Sequence, residues 1–367
     1  MRLFISTLSI ALLAVSCKKE DAIKPQAARP TYYQYSGKIV PGTGASIILQ
    51  DGKLLHCGTS AAQKILVVKT DQQGISIWQK ELANDSNAII TSAIETASGD
   101  ILVCGSDDAG KLLMKLDVNG NVLFRKTIQQ GRAYKIIRNR DDNFYVLGTH
   151  NASAMVLKIN AEGDSLWQGN TDFNTGGNDN PIDIVACGSG DVLVMGTVSS
   201  PSQVVLAKTN DYGGPQFQTT VSTSNEIYDN TYPSQSVELA EGAFITCITT
   251  QTPIAQSFIV KHNILGQEAW RKDLPYNYET PGQYMAMTAN SDGGFTVVGS
   301  TDGNKLFAVR YNANGNIMWQ QQYNDERSKE VRTLLYDARN NAYIITGNIG
   351  AAQFFTFRIN PATGKPM

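Results

Sequence analysis

Short apolar runs of about six residues, parted by clusters of Gly, Asp, Asn and Ser, recur from about residue 45 to the end of the chain. ILVVKT (65–70), LLMKLD (112–117), SFIVKH (257–262) and LFAVRY (306–311) are four of them. Such runs, too short for helices and rich in β-branched and aromatic residues, predict strands. One pattern follows each: a basic residue, any residue, Asp or Asn, two more, Gly, then a large aromatic four residues later. The copies are Lys69/Asp71/Gly74/Trp78, Lys115/Asp117/Gly120/Phe124, Lys158/Asn160/Gly163/Trp167, Lys208/Asn210/Gly213/Phe217, Lys261/Asn263/Gly266/Trp270 and Arg310/Asn312/Gly315/Trp319. A seventh, Arg358/Asn360/Gly364, has one extra residue before Gly and no aromatic after it. All four tryptophans of the chain fall in the aromatic slot.

A second piece lies about twenty residues upstream of each Gly: DGKLLHCGT, SGDILVCGS, DDNFYVLGT, SGDVLVMGT, EGAFITCIT, DGGFTVVGS and NNAYIITGN. Both pieces read as hairpins, because Asp or Asn opens a turn through its own backbone and Gly adopts the left-handed conformation that closes it. With an apolar stretch before the first turn (Ile182–Val185, Met285–Met287), each unit yields four antiparallel strands, A to D. A four-stranded unit of 40–50 residues is a propeller blade. The expected fold is therefore all-β, a single seven-bladed β-propeller over 31–367 with its blades in 45–367. Blade 7 has no outer strand of its own, and TYYQYSGKIV (31–40) is expected to supply it and close the ring, which removes an exposed edge. SKEVRTLLYDA (328–338) could pass for a short helix, but the repeat register makes it strand A of blade 7.

The aromatic slot resembles the tryptophan-docking motif of quinoprotein-type propellers, and Asn360-Pro361-Ala362-Thr363-Gly364-Lys365 is especially close to its turn. The resemblance implies that Trp78, Phe124, Trp167, Phe217, Trp270 and Trp319 are structural, each packed on the next blade. It does not carry quinoprotein activity, because no cofactor or calcium residues of that family can be placed here. Pairing residue 71 with 75 across the turn puts Lys69 opposite Ile77 and sends Lys69 and Trp78 to opposite faces. On that register each basic residue either stacks on an aromatic of an adjacent blade or snorkels to the rim.

The first residues read differently. MRLFISTLSIALLAVSC (1–17) has one positive charge ahead of an apolar run too short to span a membrane, the form of an export signal. Ala14-Val15-Ser16-Cys17 resembles a bacterial lipobox, which implies cleavage before Cys17 and its lipidation. Lys18-Lys19-Glu20-Asp21 resembles the surface-export tag of Bacteroidota lipoproteins. Residues 18–30 then read as a flexible tether. The resemblance implies a chain lipid-anchored in a Gram-negative outer membrane, facing outward, and a monomer is expected.

Composition narrows the function. With 42% hydrophobic residues the chain can bury a large core, and five cysteines in 367 residues make no disulfide framework. A net charge of -2 leaves no basic excess for phosphates, so nucleic acid is not an expected partner. Cys57, Cys104 and Cys247 share one slot with Leu147, Met195, Val298 and Thr346, so they read as small buried side chains, with a Cys57–Cys104 bridge left open. Three histidines, His56, His150 and His262, share no metal-ligand spacing, and neither metal nor cofactor is expected. The D–A and B–C loops read as long and polar, and surround a channel mouth. In the longest of them lie the candidate ligand-binding residues Asp172, Asn174, Asn178, Asp179, Tyr228, Asp229, Tyr232, Tyr276, Tyr278 and Glu279. Tyrosine offers an apolar face and a polar tip, and Asn and Asp can hydrogen-bond a sugar or peptide. A glycan or an envelope protein is the expected ligand. Two rivals stay open: a periplasm-facing scaffold for outer-membrane assembly, and a lyase or hydrolase using Asp172, Asp179, Asp229 or Glu279 with His150.

Overall fold

The computed structural model describes residues 31–34, 45–60, 64–83, 87–128, 130–171, 173, 179–199, 202–221, 231–250, 256–275, 285–301, 305–323, 329–349 and 353–367. They form seven four-stranded antiparallel sheets, each with its strands in chain order A-B-C-D except the last. That last sheet runs Thr31–Gln34, Gln353–Ile359, Ala342–Ile349, Lys329–Asp337, so the N-terminal strand is its outer member. Thr31 pairs with Thr356 and Gln34 with Gln353. Residues 35–40 of the expected closing segment lie outside the described residues. The segment at 328–338 is a strand, Lys329–Asp337, as the repeat register requires.

The A strands are the innermost. Ala45–Ile48, Ile89–Glu95, Ala133–Arg138, Asp179–Ala186, Thr231–Glu238, Ala286–Ala289 and Lys329–Asp337 each contact the next in order, and the last contacts the first, which closes the ring. The B and C strands between the A and D strands are almost wholly buried, as the patterns of Ile101–Asp107 and Gly110–Leu116 show. The D strands alternate exposed and half-buried positions, as an outermost strand should.

The repeat owes its spacing to an interlock between blades. Each C–D turn glycine carries a positive φ, between 69° and 84°, and those from Gly120 onward present a bare Cα to the blade before them. A Cβ on Gly120 would lie 2.7 Å from Trp78, and one on Gly315 would lie 2.6 Å from Trp270. Phe124 meets Gly163 in the same way, Phe217 meets Gly266 and Trp319 meets Gly364, while Trp167 lies against Gly213 more loosely, 3.4 Å from where a Cβ would stand. Every aromatic of the repeat thus docks on the turn of the next blade, and at all of these turns but Gly213 a Cβ would clash with it.

The basic slot corrects the expected register. Lys69 pairs directly with Trp78, not Ile77, because the turn carries a bulge between Lys69 and Thr70 that adds one residue. The same bulge recurs in the five following copies. Lysine and aromatic therefore share a face. The basic residues mostly neither stack nor snorkel: they form ion pairs, Lys69 with Asp51 at 2.8 Å, Lys115 with Asp100 at 3.2 Å, Lys208 with Asp191 at 3.1 Å, Lys261 with Glu241 and Arg310 with Asp292 at 2.6 Å. Each of those acids flanks the glycine of its own A–B turn. Arg310 and Lys261 also donate to carbonyls of the next blade's C–D turn, at Pro361 and Ala313. Among the described residues only Lys208 of these stacks on an adjacent blade, over Phe244 at 5.6 Å.

Blade 3 departs from this scheme although its A–B turn carries Asp141 and Asp142: Lys158 reaches forward to Asp211 of blade 4 at 2.7 Å. Tyr145 and Asn139 donate to the same carboxylate. Burial pushes the Asp211 carboxyl up, but the Lys158 ammonium, the Tyr145 hydroxyl and the Asn139 amide outweigh it and hold it below its usual range.

Candidate functional site

Alternation of strands places every A–B and C–D turn on one face of the ring and every B–C and D–A connection on the other, the loop face. Of the candidate binding residues, Asp172, Asn174, Asn178, Tyr228, Asp229, Tyr276, Tyr278 and Glu279 lie outside the described residues. Tyr232 begins strand A of blade 5, opposite Thr249. Asp179 is buried, and its carboxylate accepts from the backbone N–H of Ala154 at 3.0 Å and Phe173 at 3.3 Å. It fastens the blade 3–4 connection rather than offering itself to a ligand. The expectation of long B–C loops also needs correcting: Asp107–Gly110 and His150–Ser153 are tight hairpins, the second turning at Asn151 and Ala152 with φ of 48° and 66°.

What the loop face does carry is a cleft of about 560 Å³ between blades 2 and 3. Its walls come from strand A of blade 2, the Asp107–Gly110 hairpin and the segment Gln130–Tyr134. Two of its residues are set by bulges. The pairing of strands A and B shifts between Ile90 and Ser92, and again between Ala133 and Lys135, so Thr91 and Tyr134 are the extra residues. A bulge re-aims a side chain, here into the cleft. Opposite each bulge stands the glycine that ends the strand-B motif. A Cβ on Gly105 would strike the carbonyl of Ile89, and one on Gly148 that of Arg132. In blades 2 and 3 the Gly of CGS and LGT makes room for the bulged A strand, while blade 5 bulges at the same place opposite Ile248.

The cleft has two kinds of surface. Ile89, 42% exposed, and the half-buried Tyr134 give apolar area. Asn87, Asp108, Gln130 and Arg132 are exposed and polar, and the Asn87 amide donates to Asp108 at 2.9 Å. Asp107 is spent on structure: it accepts from Ala109 N and Gly110 N, and from Arg125 at 3.1 Å. Beneath the floor Lys111 is wholly buried and donates to the Gln130 carbonyl, and burial lowers its ammonium to about 8. It holds the Gln130–Tyr134 segment in place. Asn87, Asp108, Gln130 and Arg132 stand in none of the recurring slots, so no periodic signal marked them.

Deeper in the mouth, strand A of blade 3 supplies Lys135, which pairs with Asp183 of blade 4. The other Asp183 oxygen accepts from Ser236 N of blade 5 at 2.7 Å. The Gln235 side chain in turn accepts from Met287 N of blade 6 at 2.7 Å. These bonds stitch successive blades around the channel.

Cys57, Cys104, Cys187 and Cys247 are all free and buried, so Cys57 and Cys104 do not pair. Burial raises the Cys57 and Cys104 thiols to about 12, far from a reactive thiolate. His56 is buried between Ser46 at 2.8 Å and Thr70 at 3.4 Å, and burial lowers it to about 4. His262 is likewise lowered to about 4 by burial. His150 ends strand B of blade 3 with Asn151 at 3.2 Å from its Nε2. Among the described residues no three His, Cys, Asp or Glu side chains gather as a metal site.

No protein-family model matches the chain, and no curated protein matches it. Solved structures do. A virginiamycin B lyase from Staphylococcus aureus, a catalytically inactive form with quinupristin, superposes with a TM-score of 0.61 at 12% identity, covering 89% of this chain and 98% of that one. The WD40 β-propeller domain of Doa1 gives 0.58 at 10%, covering 90% and 97%. Drosophila plexin A in complex with semaphorin 1b gives 0.57 at 10%, covering 90% and 87%. At such identities the likeness is one of fold: this chain is a seven-bladed β-propeller.

Proposed function

We propose that this propeller is a lipid-anchored binding protein of a Bacteroidota-type cell surface, and that it holds a glycan on its loop face in the cleft between blades 2 and 3. The observation that carries this reading is the cleft's mixed lining: Ile89 and Tyr134 offer apolar area beside the exposed polar groups of Asn87, Asp108, Gln130 and Arg132. A sugar ring presents the same combination, an apolar C–H face and a ring of hydroxyls that both donate and accept. The anchor rests on the lipobox-like Ala14-Val15-Ser16-Cys17 and the Lys-Glu-Asp that follows. The repeat itself is read as a tryptophan-docking one, which the packing of Trp78, Trp270 and Trp319 on the following glycines supports.

A glycan array probed with fragment 31–367 tests the ligand. Specific binding that Arg132→Ala weakens supports the reading. A blank array with one envelope protein captured in a pull-down supports the scaffold instead. Protease shaving of intact cells separates an outward-facing propeller, which is cut, from a periplasmic one.

A further inference from the structure

We infer that the face of the A–B and C–D turns rests against the lipid surface while the loop face points away from it, which sets the proposed anchor and the proposed glycan cleft at opposite ends of the molecule. This inference rests on the anchor reading above and adds an orientation and a contact surface to it.

The direction of the closing strand carries the argument. In every blade strand D leaves the C–D turn and runs toward the loop face. Thr31–Gln34 takes that place in blade 7, antiparallel to Gln353–Ile359. Gln34 lies opposite Gln353, the loop-face end of that strand, and Thr31 opposite Thr356, partway to the turn end. The chain before Thr31 is therefore directed toward the turn face. Only thirteen residues, 18–30, separate Cys17 from Thr31, a reach of at most about 45 Å at roughly 3.5 Å per residue. The closing strand thus enters from the turn-face side, and the segment that joins it to Cys17 is long enough to bring that face to the bilayer.

The turn tips fit that surface. Polar residues are the usual occupants of such tips. Here Tyr212 is 85% exposed, Leu265 68%, Ile75 64% and Ile264 53%. The turns that display them are tied by their own Asn or Asp: Asn210 accepts from Tyr212 N at 3.0 Å, and Asn263 from Leu265 N at 3.0 Å. Rigid tips lose little freedom when they enter an interface, and aromatic and aliphatic side chains are at home there. Many acids of this face are spent on the Lys and Arg of the repeat, as Asp51, Asp191, Glu241 and Asp292 are. That reduces their repulsion from anionic headgroups.

The test uses the full acylated chain in phosphatidylethanolamine–phosphatidylglycerol vesicles. Its four buried thiols are inert to maleimide, so a single Cys label reports one position. Tyr212→Cys and Leu265→Cys on the turn face, and Ala109→Cys on the loop face, are labelled with a fluorophore and exposed to nitroxide-headgroup lipid. Flotation with the vesicles reports the anchor; quenching reports orientation. The expected result is flotation of all three, with quenching at 212 and 265 at least threefold stronger than at 109. Flotation with equal quenching, or with 109 quenched most, overturns the orientation and leaves the anchor standing. Failure to float, with the parent chain labelled at Cys17, overturns both.

Discussion

The two faces of the ring are built on different rules. On the turn face each blade says nearly the same thing: an Asx-closed turn, a left-handed glycine, an aromatic docked from the blade before, and in most blades a cation paired with an A–B turn acid. On the loop face the connections differ from blade to blade in length and sequence, and the cleft between blades 2 and 3 uses Asn87, Gln130 and Arg132, which stand in none of the recurring slots. What recurs is needed to close the ring. What does not recur is free to recognise something, and loops on a rigid scaffold are where recognition usually resides.

Variants of the aromatic, glycine and charged slots of the repeat should therefore cost stability, and those of the loop-face cleft should cost only binding. The largest effect is expected from Trp270→Ala. It empties the space over Gly315 and should lower unfolding free energy by about 3–5 kcal/mol, read from urea denaturation. Gly315→Val attacks the same contact from the other side, since its Cβ would overlap Trp270 at a φ of 70°. If either variant unfolds at the wild-type midpoint, the interlock is not what holds the blades.

Acid should act next. His56 is lowered from 6.5 to about 4, so the unfolded chain takes up its proton first. Its contribution is complete above pH 6.5 and is lost as pH falls toward 4, up to about 3 kcal/mol. The urea midpoint followed over that range should drop, and part of the slope should vanish in His56→Gln.

Asp211→Ala should cost about 2 kcal/mol, less than for a fully buried pair because Asp211 keeps some solvent contact, and mainly by stranding the Lys158 ammonium. Lys158→Met in that background should recover part of the loss, as a double-mutant cycle would show. The smallest stability effect, under about 0.5 kcal/mol, is expected from Asn87→Ala and Arg132→Ala, which are exposed.

The same division explains what could be read from the sequence. Blade number, strand order and ring closure by Thr31–Gln34 were legible because seven copies repeat one constraint. The register of Lys69 against Trp78 was off by one residue because a bulge inside the turn adds a residue without changing the spacing of Asp71 and Gly74. The ion pairs were missed for the same reason: Asp51 precedes its turn glycine while Asp100 follows its own, so the acid has no fixed place in the repeat. Asp179 looked like a loop carboxylate and is instead buried against Ala154 N. The cleft was not legible, since the A-strand bulge that brings Thr91 and Tyr134 to it recurs in blades 4, 5 and 7 and so does not single out this pair of blades, and its polar residues fall in no recurring slot.

The central claim is that recognition belongs to the loop face alone. The most direct measurement is the affinity of 31–367 for a glycan selected on the array, taken by calorimetry for the wild type, for Asn87→Ala/Arg132→Ala and for Tyr212→Ala/Leu265→Ala. A loss of tenfold or more in the loop-face pair, with the turn-face pair unchanged and all three equally stable in urea, is the predicted result. Full affinity in the loop-face pair, or its loss in the turn-face pair, would contradict it.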